Sequence, residues 1–216
     1  MDRHDIHSVE KTILVGGGGH ALSLLEAMPD TAGFAGYLAL RPSESMPLPW
    51  LGTDDMALQL KDDHLFHMAF VYSRLPIMTP RRKLLEKYRE MGVRFGSVIA
   101  PNAVVTRNAT VGDGCAILQN AIINRAHLGE NVVVNTGAIV EHDCTVGDNT
   151  FIGPGAVIGG AVKIGRDCFV GLGSRLKNGI TLADGVSVGM GTVITESLRE
   201  PGIYFGNPLK FHPVKG

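Results

Sequence analysis

The chain has 216 residues, long enough for one large or two small cores, and carries 20 Lys and Arg against 21 Asp and Glu, a net charge of −1. That balance, with no basic run and no aromatics interleaved with cations, argues against a nucleic-acid surface. The apolar stretches are too short and too broken by glycine to cross a bilayer, and Met1 to Lys11 is polar with no signal-peptide core, so a cytoplasmic protein without a membrane segment is expected.

Lys11 to Val15 reads as a buried strand, Gly16 to Gly19 as a glycine loop, and His20 to Met28 as a helix with Ala21, Leu24, Leu25 and Met28 on one side. Strands are predicted at Phe34 to Leu40 and His67 to Ser73. Helices are predicted at Asp54 to Lys61 and Pro80 to Met91, the latter opening with Thr79 as cap and Pro80 in the first turn. This β-α-β-α-β order implies a small parallel sheet with flanking helices, a Rossmann-like unit over residues 1–96.

Gly16-Gly17-Gly18-Gly19-His20-Ala21 fits G-x-G-x-x-A between a strand and a helix. Two readings stand for it: a tight turn that needs glycine sterically, or bare backbone N–H groups that cradle a phosphate at a helix N-terminus. His20 is correspondingly either a ligand contact or simply the first helical residue. The acidic residue that would hold a ribose after the second strand is missing, since Leu38-Ala39-Leu40-Arg41 stands there, which argues against a nicotinamide dinucleotide.

From Ile99 onward the pattern changes. An aliphatic residue returns every six positions through Val105, Val111, Ile117 and Ile123, then, after one five-residue step, from Leu128 through Val134, Val140, Val146, Ile152, Ile158, Ile164, Val170, Leu176, Leu182 and Val188 to Ile194. The next residue is often Gly (Gly112, Gly129, Gly147, Gly153, Gly159, Gly165, Gly171, Gly189), and the fourth residue on is small or β-branched. Hexads of this kind predict a parallel β-helix over residues 97–216, three hexads closing a triangular coil. The aliphatic column points inward, and Gly114, Asn120, Asn149, Gly155, Gly173, Gly179, Gly185 and Gly191 take the corners. Cys115, Cys144 and Cys168 all fall on the inward small position, which reads as packing, and their odd number suits a reducing compartment.

One corner is chemically loaded. In Val140-Glu141-His142-Asp143-Cys144 the inward residues are Val140 and Cys144, so His142 projects outward between two carboxylates, either of which could orient the ring or raise its basicity. A solvated corner histidine flanked by acids is the other reading of the same residues. No nucleophilic Ser or Cys sits in an activating setting, so a lone base is the candidate these residues offer. A metal-dependent hydratase of the γ-carbonic-anhydrase type would need three converging histidines where the repeat has His127 and His142. A non-catalytic β-helix scaffold is a further reading.

Several segments together resemble the sialic-acid O-acetyltransferase/PglD-type sugar acetyltransferases, a family of left-handed β-helix enzymes. They are the strand and glycine loop ending in Gly19-His20, Leu51-Gly52-Thr53-Asp54-Asp55, an Arg near the start of the third helix (Arg81 or Arg82), Ile122-Ile123-Asn124, Val134-Asn135-Thr136-Gly137-Ala138, Glu141-His142-Asp143 and Gly206-Asn207-Pro208-Leu209-Lys210. The resemblance implies N-acetylation of a nucleotide-linked amino sugar from acetyl-CoA, or O-acetylation of a free sugar such as sialic acid. It implies His142 as catalytic base with Asp143 raising its basicity, a sugar-nucleotide loop at Gly18, Gly19 and His20, and acetyl-CoA contacts near Phe151, Leu172 and Met190, with no metal. It further implies a homotrimer with CoA between adjacent β-helices. Two places depart from the family: Ala39 and Leu40 where acidic residues are common, and Tyr72-Ser73-Arg74 where a Gly followed by Asn or Asp is common.

Overall fold

A computed structural model describes residues 10–71, 78–206 and 210–213. Its N-terminal unit orders as β1 (Lys11–Val15), α1 (Gly19–Glu26), β2 (Phe34–Leu38), β3 (Trp50–Gly52), α2 (Ala57–Leu60), β4 (His64–Met68), α3 (Thr79–Glu90) and β5 (Arg94–Phe95). The five strands form one parallel sheet in the order β3-β2-β1-β4-β5, the Rossmann arrangement, whose strand order reverses between β1 and β4. Successive residues of β1 feed opposite faces: Leu14 packs with Ala21, Leu24 and Leu25 of α1, while Ile13 and Val15 pack with Ala57 of α2 and Leu85 and Tyr88 of α3.

Several predicted elements shift. The strand expected at His67 to Ser73 lies at His64–Met68, because Lys11 to Val15 pair in register with His64 to Met68. Two histidines are tolerated in that strand because each ring donates to a backbone carbonyl, His64 Nδ1 to Leu60 at 3.1 Å and His67 Nδ1 to Gly96 at 2.9 Å. The second strand stops at Leu38, the helix expected at Asp54 to Lys61 begins as a 3₁₀ turn (Asp54–Met56), and Trp50–Gly52 adds an edge strand that the sequence patterning did not reveal. Thr79 does not cap α3: Met78 already has helical dihedrals, so Thr79 lies inside the helix, and no side chain caps this end. Pro80 is in the first turn as expected. Tyr72, Ser73 and Arg74 and residues 207–209 lie outside the described residues.

The second unit is the expected left-handed parallel β-helix. Its first face ladders Val98–Ile99, Ala116–Ile117, Val133–Val134, Phe151–Ile152, Phe169–Val170, Val186–Val188 and Gly202–Phe205, closed by an antiparallel Lys210–His212. The second face runs from Val104–Val105 to Val193–Ile194 and the third from Thr110–Val111 to Thr181–Leu182. Register partners such as Val134 and Ile152 are 18 residues apart. Partners that span the five-residue step, such as Ile123 and Val140, are 17 apart. The aliphatic column and the three cysteines fill the interior. All eight glycines and asparagines expected at corners have positive φ, and so do Arg125, Asn131, Asp143, Ala161 and Asp167. The glycine after an aliphatic has another cause where it occurs: a Cβ on Gly147 would lie 2.7 Å from the backbone of Arg166, one coil on, so at that place the coils keep this spacing only with a bare position.

The two units share a core. Outward residues of the first face, Ala116, Val133 and Phe151, pack with Leu14, Leu24, Tyr37 and Met78 of the N-terminal unit. This contact fixes the sheet and its glycine loop against one side of the β-helix.

Candidate functional site

His142 sits on the corner between the second and third faces, immediately before Asp143, whose φ of 60° makes the turn. The same corner is occupied by Arg125 in the coil before and Ala161 in the coil after, both also at positive φ, so the turn does not by itself require an Asp there. The Asp143 carboxylate accepts from His142 Nδ1 at 2.9 Å and from Arg125 Nη2 at 3.3 Å. The hydrogen bond from His142 is the main reason that the Asp143 carboxyl is held below its ordinary pKa, with Arg125 adding to the effect. A proton on Nδ1 leaves the lone pair on Nε2, the form a general base needs. Glu141 does not take this part. It accepts from Asn124 Nδ2 at 2.9 Å and from the His142 backbone N–H at 3.3 Å. His142 is half exposed, and its ring lies across Gly160 of the next coil, where a Cβ would be 2.7 Å from Nε2.

A second locus lies across the junction. A cavity of about 320 Å³ is lined by His20 and Val71 from the N-terminal unit and by Asn135, Phe151, Pro154, Phe169 and Leu172 from the β-helix. The Phe151 and Phe169 rings are stacked, centroids 5.0 Å apart and nearly parallel, as expected for side chains one coil apart on the outward first face. The structure thus brings together His20, Phe151 and Leu172, which the resemblance placed in two different subsites. Met190 stands one coil beyond Leu172 on the same corner, and both are well exposed. His142 does not line this cavity.

The glycine loop divides in two. Gly16 has φ +116° and a Cβ there would lie 2.9 Å from the Ala69 carbonyl, while a Cβ on Gly17 would be 2.6 Å from the Tyr37 ring, so both are required by packing. Gly18 and Gly19 have nothing within 4 Å of a Cβ and are exposed at the N-terminus of α1. His20 follows them with its Nε2 covered and unpartnered, and burial, reinforced by His67 and Arg81, lowers its pKa to about 3, which keeps the ring neutral.

Beneath His20 lies a buried polar node on which the sequence was ambiguous. Of the two candidates at the start of α3, Arg81 is fully buried and Arg82 is half exposed. Arg81 Nε donates to the Phe70 carbonyl at 3.0 Å, and Nη1 donates to the Asn131 carbonyl at 3.0 Å and to Asn149 Oδ1. Asn149 Nδ2 donates to Asp167 Oδ1 at 2.6 Å, and Arg82 reaches Asp167 Oδ2 at 3.4 Å. Arg81 therefore ties the residue before Val71 to the coil that carries Phe151, directly under the cavity. Burial lowers its pKa to about 10, still a cation at neutral pH. The signal for Asn149 was its predicted corner position; for Gly160 it was a glycine 18 residues after His142, in register with it.

Residues 125–160 match the family model described as "Bacterial transferase hexapeptide (six repeats)", and residues 161–196 match "Hexapeptide repeat of succinyl-transferase". Among solved structures the chain is similar to PerB from Caulobacter crescentus, crystallised with CoA and GDP-perosamine, at 29% identity over 95% of this chain and 98% of that one, TM-score 0.84. It is also similar to the acetyltransferase domain of PglB from Neisseria gonorrhoeae FA1090, at 28% identity over 94% and 100% of the two chains, TM-score 0.83. The chain thus carries the bacterial transferase hexapeptide repeat and is similar over nearly its whole length to sugar acetyltransferases. WeeI from Acinetobacter baumannii AYE, at 22% identity over 94% and 100% and TM-score 0.75, shares its fold.

The cysteines are packing residues. All three are buried and free, and burial pushes the thiols of Cys115 and Cys168 up to about 11 and about 12 and that of Cys144 upward as well, away from the reactive thiolate. His127 bonds Thr110 Oγ1 at 2.8 Å. Among the described residues no group of three or more His, Cys, Asp or Glu is placed to hold a metal, and no helix is long and apolar enough to cross a membrane.

Proposed function

We propose that this chain transfers an acetyl group from acetyl-CoA to the amine of a nucleotide-linked amino sugar, with His142 as general base. The observation that carries the base assignment is the His142–Asp143 contact on an exposed corner, which fixes the tautomer and leaves Nε2 available. The bound nucleotide sugar and CoA of the PerB structure, and the acetyl-CoA complex of the PglB domain at 28% identity, support the donor and acceptor classes.

In this reading the amine nitrogen attacks the thioester carbonyl, forming the C–N bond as its proton passes to His142 Nε2. The tetrahedral intermediate collapses with cleavage of the C–S bond, and the proton is handed on to the departing CoA thiolate. Backbone N–H groups in the later coils steady the oxyanion. Gly18, Gly19 and His20 hold the nucleotide end: a Cβ at either glycine would meet none of the described residues packed around the loop, which leaves the bare backbone for a ligand phosphate. Phe151, Leu172 and Met190 contact acetyl-CoA. The units divide at residues 96 and 97, the first binding the sugar nucleotide and the second the donor. Because His142 does not line the His20 cavity, the two loci are completed between copies of the chain, in a homotrimer with CoA between neighbouring β-helices.

His142→Ala is expected to lose about 10²–10⁴-fold in kcat while acetyl-CoA binding and the melting temperature hold, since a positioned base supplies a factor of that order. Full activity of that variant in a thioester-cleavage assay with amino-sugar nucleotides removes His142 from the role. The competing reading, O-acetylation of a free sugar, keeps the same base and donor; titration with UDP and GDP giving heat for neither favours it.

A further inference from the structure

The segment that follows β2 brings a carboxylate beside the glycine loop. Ser43 to Met46 forms a tight turn, the Met46 N–H donating to the Ser43 carbonyl at 3.2 Å. Both ends of the turn are fastened. The Ser43 N–H donates to the Tyr37 hydroxyl at 2.7 Å, and the buried Met46 belongs to the same apolar cluster as Tyr37. These two side chains also underlie the loop, since a Cβ on Gly17 would lie 2.6 Å from the Tyr37 ring and 3.5 Å from Met46 Cγ. Tyr37 and Met46 therefore set where the turn stands relative to the loop, and Glu44 is exposed on the turn between the two fastenings.

Loop and turn border one cavity of about 660 Å³, lined by Gly17, Ala39 and residues 41–45. It adjoins a second of about 480 Å³, whose lining includes Val15, Gly16, Leu38 and Phe70 and shares Ala39 and Arg41 with the first. Both lie at the carboxyl ends of β1 and β2, the crevice where open α/β sheets bind ligands. With the phosphates of a nucleotide on Gly18 and Gly19, as in the reading above, its ribose falls over the neighbouring Gly17, toward the end of β2.

We infer that Glu44 holds the ribose hydroxyls of the sugar nucleotide. The inference rests on the nucleotide-linked reading of the site. In dinucleotide-binding Rossmann units an acid at the end of the second strand takes this part, and here the apolar side chains of Ala39 and Leu40 cannot. A ribose diol presents two O–H donors on adjacent carbons, and a carboxylate has two oxygens that can each accept one of them. Glu44 brings the carboxylate among the side chains that line the larger cavity. Arg41 brings a group that only donates, suited to a phosphate oxygen or a base carbonyl, and the Ser43 and Ser45 hydroxyls share a hydrogen bond of 3.0 Å. Because the turn is already fastened at both ends, its backbone needs no ordering when the ribose arrives.

The test is calorimetric titration of the intact protein with UDP, CDP, GDP and ADP, each paired with its 2′-deoxy form, and with acetyl-CoA in parallel. For whichever base binds, the ribose form is expected to bind at least about tenfold more tightly than the deoxyribose form, as a hydrogen bond to a charged group implies. Glu44→Ala, at an exposed turn position, is expected to keep its melting temperature and its acetyl-CoA affinity while this gap closes to about twofold or less. A wild-type protein that binds both forms equally or prefers the deoxy form, or a gap unmoved in Glu44→Ala, overturns the role of Glu44 and leaves the nucleotide-linked reading intact. Binding of acetyl-CoA with none of the nucleotides overturns both.

Discussion

At the residue scale the candidate base is held by contacts that differ in kind. Asp143 orients the imidazole through Nδ1, from a corner of positive φ that Arg125 and Ala161 occupy in the neighbouring coils. Gly160 acts by lacking a side chain: the ring of His142 occupies the space its Cβ would fill. Its own φ is ordinary, so Gly160→Ala introduces no backbone strain, only a methyl group that displaces the ring. We expect this variant to keep its melting temperature and acetyl-CoA affinity and to lose kcat, as a small misplacement of a catalytic group does. An unchanged kcat would show that the ring position over Gly160 is immaterial. The outward placement of His142 was legible from the sequence because the hexad register tells outward residues from inward ones. The choice between Glu141 and Asp143 was not, since both flank His142 and only the dihedrals decide which carboxylate reaches Nδ1.

At the element scale the junction is decided by the start of α3. Arg81→Met would leave the Phe70 and Asn131 carbonyls and Asn149 Oδ1 without this donor. At about 1–3 kcal/mol for each buried group left unmade, a loss of about 3 kcal/mol or more is expected. For a chain of this length that is a fall in melting temperature of about 6 °C or more, read by calorimetry; a fall of only a degree or two would mean that the clamp contributes little. The same node sets an acid limit. Burial lowers the His67 pKa to about 4 and that of His20 to about 3, both below the ordinary imidazole value. The unfolded chain therefore binds protons that the folded one does not as pH falls below about 6.5, so stability drops from there toward pH 4, by at most about 1.4 kcal/mol per pH unit for each ring. His67→Gln should show a shallower decline over that window in thermal unfolding, and an identical decline would take His67 out of the account. The sequence flagged Arg81 or Arg82 and the corner at Asn149 separately but not their meeting, because the members of this node come from α1, β4, α3 and three coils and come together only when the units dock.

At the scale of the whole molecule the β-helix is a single apolar column wound around by short strands. Ile158 is fully buried in it, between coils that stack on both sides. Ile158→Asp places a carboxylate in that column with no partner, and uncompensated burial of a charge is among the costliest single changes. The variant is expected to lose its β-sheet circular dichroism or fail to accumulate as folded protein; a cooperative melt near the wild-type temperature would contradict the continuous-core account. Two surfaces of the molecule then divide the work. The first face is buried against the Rossmann-like unit, and the opposite corner displays His142.

The sequence by itself determined the winding, the inward column, the corner positions and the outward histidine, because hexad period and glycine spacing are local properties that each coil obeys separately. It also determined a Rossmann-like order, although two histidines in β4 hid where that strand begins. Only the tertiary structure decided that Gly18 and Gly19 are free of packing duty while Gly16 and Gly17 are not, that Arg81 and not Arg82 crosses the junction, and that His20 meets Phe151 and Leu172 in one cavity. Those facts depend on atoms far apart in the chain, and no local period encodes which of them a folded interface will bring within a hydrogen bond of one another.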